Sequence, residues 1–444
     1  MEQKIDRRPG SRSTTSTGGK DMAGDGVEGT VLVSYAVGWD LVTRAALEPL
    51  TRAEAEARDG AGQEYVKVHR LPGRSEPLEV HLVAWGESYV GVWAYDEQGR
   101  RTGEADWRLL EPERVFLRHL AVWRYESPQQ AEFAPEVGRT YWDLLPDGKG
   151  RKVVERPGGG SFHTLADIAQ ADRWRSRAGF GVRGVGGLLF PDAGNSPLRL
   201  VDVSPGEPGA PATTATASAR WLPPRPGRQA YLKELFEPGT RFGTSFQPEM
   251  TVSDVRWLAD LRLPSGRLVV DDPGNTGTAH GRELSERFPP GTYPLQATVV
   301  AYEYEFMGEH CAVEEPVAVR VLLGEEAPVS WELALAAGDD VRLLRDDGIF
   351  GFSTDGAAGS FADASGWEVL AERVRSYYQD SDGDAAEFID DGHLRTTDEA
   401  TGSDLVTFFT GGDGTYPVWL GRSDSGATVC VVVQSDYLPE LRLL

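Results

Sequence analysis

Asp380-Ser-Asp382-Gly-Asp384 sets three carboxylates at alternate positions, the way the first half of a calcium loop offers oxygen to a hard cation. Asp391 falls at the twelfth position of such a loop. However, the sixth position, which needs Gly, is Ala385, and the apolar eighth is Glu387. Asp380, Asp382 and Asp384 are therefore weak metal candidates, and a solvated acidic loop is the better reading. The histidines are His69, His81, His119, His163, His280, His310 and His393. None makes a His-Glu-x-x-His pair or a close cluster along the chain, so zinc finds no familiar ligand spacing. Gly179-Phe-Gly181-Val-Arg-Gly184 spells the dinucleotide fingerprint. That fingerprint works only between a strand and a helix, where phosphate meets a helix N-terminus. A helix-like segment precedes it here, so it reads as a glycine-rich loop. No phosphate loop and no Gly-x-Ser-x-Gly elbow occurs. Cys311 and Cys430 cannot build a disulfide framework or a Cys-rich metal centre. No cofactor is expected.

One stretch looks selected for backbone geometry. In Gly411-Gly412-Asp413-Gly414-Thr415-Tyr416-Pro417-Val418-Trp419, Gly412 and Gly414 permit positive φ and Asp413 suits a turn. Tyr416-Pro417 then imposes an extended chain.

The chain has 444 residues, 69 Asp and Glu against 45 Lys and Arg, and a net charge of −24. That length favours two domains. The field of such a surface repels phosphate backbones and anionic lipid, so neither nucleic acid nor membrane is an expected partner. Arg100, Arg101, Arg108, Arg114 and Arg118 make a local basic patch conceivable, but acids interleave them. The first thirty residues hold no apolar core and no window reaches the length of a membrane span, so the expected location is cytoplasmic.

The elements that must position these residues read as follows. Residues 1–29 form a disordered tail, 30–203 an N-terminal α+β domain, 204–228 a Pro/Ala/Thr-rich linker and 229–444 a β-rich domain. Trp221 is anomalous for a free linker and is expected to pack onto a domain. In the first domain, helical spacing predicts Asp40–Ala57, as two short helices or one kinked at Pro49, and a helix over Thr164–Arg175 with Thr164 and Asp167 as its capping box. Strands are predicted over Tyr65–His69, Leu78–Trp85, Tyr89–Tyr95 and Val115–Tyr125. In the second, a short helix is expected near Ala230–Phe236 and another over Trp367–Tyr378, where Trp367, Leu370 and Val374 share a face. Strands are predicted over Tyr293–Tyr304, Val317–Leu323, Val329–Leu335, Asp404–Phe409, Tyr416–Gly421 and Ala427–Gln434. The fold class is α+β, mainly β: two domains of short antiparallel strands, sandwich-like, with a few peripheral helices.

Five motifs in order give the second half a resemblance. They are Leu263-Pro-Ser-Gly-Arg-Leu-Val-Val-Asp-Asp272-Pro273, Pro289-Pro-Gly-Thr-Tyr-Pro294, Val329-Ser-Trp331-Glu-Leu-Ala334, Phe352-Ser-Thr-Asp355 through Gly359 and Phe361 to Asp363, and Gly412-Asp413-Gly-Thr-Tyr416-Pro417. Together, over roughly 250–436, they resemble the bacterial family named domain of unknown function 4241. The family brings no assigned activity. The residues it points to are Asp272, Asp355, Asp363, Asp413, Tyr416 and Trp331. Asp271 stands where the family usually has a small residue.

Three readings remain open at this level, the third being a two-domain scaffold whose linker sets the domain spacing. The first is an acidic, non-catalytic protein-binding factor of the immunity or defence-accessory kind, whose partner is a basic protein. The second is a hydrolase or metal-dependent enzyme working through Asp272, Asp355, Asp363 and Asp413. Asp beside Gly and Pro serves turns by accepting backbone N–H bonds, which favours the first. Oligomeric state is not readable from the sequence.

Overall fold

The computed structural model describes residues 29–182, 199–275, 280–379, 387–390, 393–436, 438 and 441–444. Residues 1–28 of the expected tail, Gly184, Asp391 and the weak metal candidates Asp380, Asp382 and Asp384 lie outside the described residues. The chain divides into two compact units, Met1–Trp221 and Leu222–Leu444.

The first unit is a long meander. Its sheet runs from Ser161–Leu165 through Gly150–Glu155, Gly138–Leu144, Arg114–Arg124, Arg101–Glu111, Tyr89–Tyr95, Glu79–Ala84 and Tyr65–Arg70 to Thr30–Asp40 and Ala45–Leu50. Trp39, Val66, Val80, Leu82, Tyr89, Trp93 and Trp221 form a core cluster on it.

The helix expected over Asp40–Ala57 is instead the end of one strand, a turn, the strand Ala45–Leu50 and a helix over Arg52–Gly60. The Asp40 carboxylate accepts the Val42 and Thr43 amides at 3.0 and 2.6 Å and so makes the turn. Arg44 and Glu48 take positive φ, and Pro49 offers no amide. The helix begins only after Thr51, whose Oγ1 accepts the Glu54 amide while the Glu54 carboxylate accepts the Thr51 amide. The helix expected over Thr164–Arg175 is reduced to one 3₁₀ turn, Gln170–Arg173. Thr164 sits in a strand, and Asp167 accepts Trp142 Nε1 and Lys152 Nζ, both at 2.7 Å, rather than capping anything.

The low-complexity stretch after Ser204 is tied to this sheet. Thr213–Thr214 pairs in parallel with Ala46-Leu47. Ser218 and Ala219 donate their amides to Asp40. Trp221 stacks on Trp93 at 4.2 Å and is 5% exposed. The Thr43 amide foremost, and the Ala219 and Ser218 amides with it, hold the Asp40 carboxyl well below the usual carboxylate range against the opposing effect of burial.

The second unit is a sandwich. Met250–Leu263, Gly291–Phe306, Glu309–Leu322, Thr428–Gln434 and Gly414–Arg422 make the centre of a nine-stranded sheet. Leu268–Asp271, Ala358–Asp363, Ser403–Phe409, His393–Asp398 and Glu387–Asp390 make a five-stranded one. Leu261, Leu295, Val319 and Val431 from the first meet Val270, Phe361, Val406 and Phe408 from the second in one buried core. The helix Trp367–Gln379 covers the other face of the smaller sheet through Trp367, Leu370, Ala371 and Val374, on the spacing read from the sequence. Leu232, Leu235 and Phe236 pack with residues of the larger sheet, and the helix expected there is one 3₁₀ turn, Glu234–Phe236. The molecule is mainly β, with two α-helices among the described residues.

Candidate functional site

Asp272 follows the strand Leu268–Asp271 and is 4% exposed. One of its oxygens accepts the Gly274 amide at 2.7 Å, closing a turn over Pro273. The other accepts Thr354 Oγ1 at 2.7 Å. Thr354 Oγ1 in turn accepts the Gly356 and Ala358 amides, so Asp272 and Thr354 jointly organise a second turn that carries Asp355. Asp272 and the exposed Asp355 thereby line one hollow of about 520 Å³ with Asn275, Ser353, Tyr378 and Phe409. Burial raises the pKa of the Tyr378 phenol; a hydrogen bond with Thr407 opposes this and the Asp272 charge adds to it. The phenol therefore stays protonated at neutral pH. Among the described lining residues there is no His, Lys or Cys.

Asp363 stands apart. Leu268 pairs with Asp363 and Asp271 with Ser360, so Asp272 and Asp363 are four residues apart along the strand direction, about 13 Å. Asp363 is fully buried and accepts the amides and hydroxyls of Ser265 and Ser365 at 2.5–2.9 Å. It fixes the turn around Gly266, whose φ of 65° and closeness to the Phe288 carbonyl leave no space for a Cβ.

Asp413 lies elsewhere again, exposed in the loop before the strand Gly414–Arg422. Only Gly412 of its flanking glycines takes positive φ, at 144°; Gly414, expected to share that freedom, already begins the strand. Tyr416 donates its hydroxyl to the Gly412 carbonyl at 2.8 Å and stacks on Phe352. Trp331 lies opposite Gly421, where a Cβ would come within 2.9 Å of its ring. Of the six candidates, then, Asp272 and Asp355 share a hollow, and Asp363, Asp413, Tyr416 and Trp331 do not join them.

Sequence reasoning missed three clusters. Asp404, fully buried, accepts Arg262 Nε and Nη2 at 3.1 and 3.0 Å, Arg395 Nη2 at 3.0 Å and Thr397 Oγ1 at 2.6 Å, linking the two sheets of the sandwich. His69, Glu79 and His81 meet in the first unit because His69 pairs with Glu79 across adjacent strands, correcting the reading that no histidines cluster. His81 Nε2 is 2.9 Å from Glu79 and the two rings are 4.5 Å apart. Their donor atoms lie within 4.8 Å of one another, whereas ligands of one tetrahedral zinc sit about 3.3 Å apart. The basic run is matched by acids: Arg100 pairs with Asp96, Arg101 with Glu104, Arg114 with Glu111 and Arg118 with Asp143, and Arg108 is buried against Tyr89.

The third cluster is a protruding ribbon. Ala301 is the last residue of its strand paired with Met250–Leu263, and Ala318 is where pairing with Thr428–Gln434 begins. Between them, among the described residues, Tyr302–Phe306 and Glu309–Val313 pair as strands only with each other, for about 17 Å, and turn through Met307 and Gly308 at φ 52° and 83°. Residues 301–316 contain Glu303, Glu305, Glu309, Glu314 and Glu315 and no Lys or Arg. His310 meets Glu303 and Arg256 reaches Glu314. Tyr304, Phe306 and Met307 are 42, 58 and 89% exposed. Beside the ribbon, a groove of about 650 Å³ is lined by Glu249, Glu303 and Glu314.

Residues 261–433 match the model of a family described as protein of unknown function (DUF4241). The N-terminal half matches no family model. No curated protein and no solved structure matches the chain. The matched span takes in the five-stranded sheet, part of the nine-stranded one, the Asp272 hollow and the ribbon, while Arg241–Gly243, most of Met250–Leu263 and Arg442–Leu443 lie outside it.

Proposed function

We propose that this protein is a non-catalytic binding factor, of the immunity or defence-accessory kind, whose partner is a protein with a basic surface, and that the partner docks on the ribbon 301–316. The observation that carries this reading is the ribbon itself. A two-stranded extension gains little stability of its own, and exposed aromatic tips on open sheet edges invite pairing. Five glutamates without a compensating Lys or Arg in the same segment repel a second copy of this chain and attract a cationic surface. The enzymatic reading draws on two carboxylates only, Asp272 and Asp355, and Asp272 already gives both oxygens to neutral donors.

The test is affinity purification from the source cell with the full chain as bait, beside a variant carrying Glu303→Gln, Glu305→Gln, Glu309→Gln and Glu314→Gln. A basic protein should be retained by the native chain at low salt, less at moderate salt, and be lost from the variant. Equal retention by both, or none by either, contradicts the reading.

A further inference from the structure

The two edges of the ribbon differ. Phe306 and Glu309 flank a two-residue turn whose φ values, 52° and 83°, are those of a type I′ hairpin. Residues flanking such a turn exchange both backbone bonds, so Phe306, Tyr304 and Tyr302 direct their amides and carbonyls towards Glu309–Val313. Ala301, Glu303 and Glu305 direct theirs the other way. Ala301 meets Thr251 on that side, where the strand Met250–Leu263 begins. Beyond that point lies the groove of about 650 Å³, with Glu303 on its wall. Gln247 Nε2 reaches the Glu303 carbonyl at 3.3 Å, which marks its outward direction, but the same nitrogen donates to the Glu249 carbonyl at 2.8 Å. Side chains alternate along the stretch. Tyr302 and Tyr304, their rings 6.2 Å apart, share one face with Phe306, and Glu303 and Glu305 share the other, where Glu303 meets His310. The opposite edge turns out His310, Ala312 and Glu314, and Glu314 already meets Arg256. Glutamates guard an edge against apolar and acidic strands and leave it open to one class, a strand that brings cations to the same positions.

We propose that the Glu303/Glu305 edge takes an extended segment of a protein as an added strand, with Lys or Arg at two alternate positions opposite the glutamates and an apolar residue between them opposite Tyr304. The added strand continues the line of Met250–Leu263 and exchanges backbone bonds with Glu303 and Glu305. Directly opposed side chains stand about 5 Å apart on one face, so the cations meet the two carboxylates while the apolar residues lie against the tyrosines and Phe306. The inference rests on the basic-partner reading and adds to it the shape and the spacing that the partner must offer.

The probe is the fluorophore-capped, amidated heptapeptide Thr-Val-Lys-Val-Lys-Val-Thr, titrated with the full chain and read by fluorescence anisotropy. In the added strand the lysine amides face the ribbon and the central valine amide faces away. N-methylation of both lysines should therefore weaken binding about tenfold or more, and N-methylation of the central valine less than about threefold. The shuffled peptide Thr-Val-Val-Lys-Lys-Val-Thr, of equal charge, should bind about tenfold more weakly than the alternating one. Glu303→Gln with Glu305→Gln should weaken the alternating peptide and flatten its salt dependence. Peptide discrimination without any captured partner would support the edge and sink the partner reading. A partner lost from the four-glutamine variant, beside peptides that bind equally with and without lysine methylation, would keep the docking surface and overturn strand addition. No binding up to about 0.5 mM chain, equal binding of the alternating and shuffled peptides, or sedimentation showing a second copy of the chain on the edge in place of the peptide also overturns the proposal.

Discussion

Asp272 and Asp363 stand at opposite ends of one antiparallel strand pair, and each gives both carboxylate oxygens to donors from nearby turns. The two acids thus hold two separate loops rather than one reacting atom. Asp272→Asn and Asp363→Asn should each lower unfolding free energy by about 1–3 kcal/mol, because each leaves a buried amide or hydroxyl donor poorly matched. Denaturant titration checks this. Unchanged stability in both variants would show that the turns do not depend on the carboxylates.

Acid should destabilise the first unit through Glu104. Burial pushes its pKa up, but the hydrogen bond and charge of His119, with Arg101 beside them, outweigh it and bring it to about 2. A carboxyl depressed on folding contributes stability that is present above its unfolded pKa and is lost as pH falls through the folded value. The contribution, on the order of 3 kcal/mol at pH 7, should fade between about pH 4.5 and pH 2. Glu104→Gln should therefore be less stable than the native chain at pH 7, with the gap closing across that window. A gap that stays constant with pH would contradict the pairing.

Gly91 sits under Trp221: a Cβ there would fall 2.4 Å from the indole and 2.5 Å from Tyr89 Oη. Gly91→Ala should cost about 1–3 kcal/mol and loosen the stretch 204–221 from the sheet. Limited proteolysis reads the second effect directly, as faster cleavage within that stretch.

The two thiols should differ in reactivity. Burial, opposed by Arg320, pushes Cys430 up to about 11, so little thiolate forms at pH 8. Cys311 lies on the ribbon and is partly exposed. Iodoacetamide at pH 8 should label Cys311 alone, and a bound partner should slow that labelling. Mass spectrometry of the alkylated peptides decides it, and prompt labelling of Cys430 would contradict the burial.

Legibility followed the range of the physics. Trp367, Leu370 and Val374 announce their helix because helix period and burial are local. Asp40–Ala57 misled because Leu41, Ala45 and Leu50 mimic a helical face, whereas the outcome is set by Asp40 accepting amides from Thr43 and from Ala219, 179 residues away. The hollow shared by Asp272 and Asp355 depends on the Thr354 to Asp272 bond, which spans 82 residues. His69 and Glu79 meet only through strand register. The ribbon is half visible in the sequence: strand character runs to Tyr304, but Glu309–Glu315 carries no clear alternation, and the isolation of the pair is set by neighbouring strands that stop short.

In the proposed reading, turn-forming acids such as Asp272 hold the chain while the ribbon acids meet the partner. Partner affinity, measured at two salt concentrations for the native chain, for Asp272→Asn and for the four-glutamine ribbon variant, tests it most directly. The account predicts strong salt dependence for the native chain and Asp272→Asn alike, and loss of about tenfold or more in affinity for the ribbon variant. Native-like binding by the ribbon variant, with binding abolished by Asp272→Asn in a chain that remains folded, would contradict it.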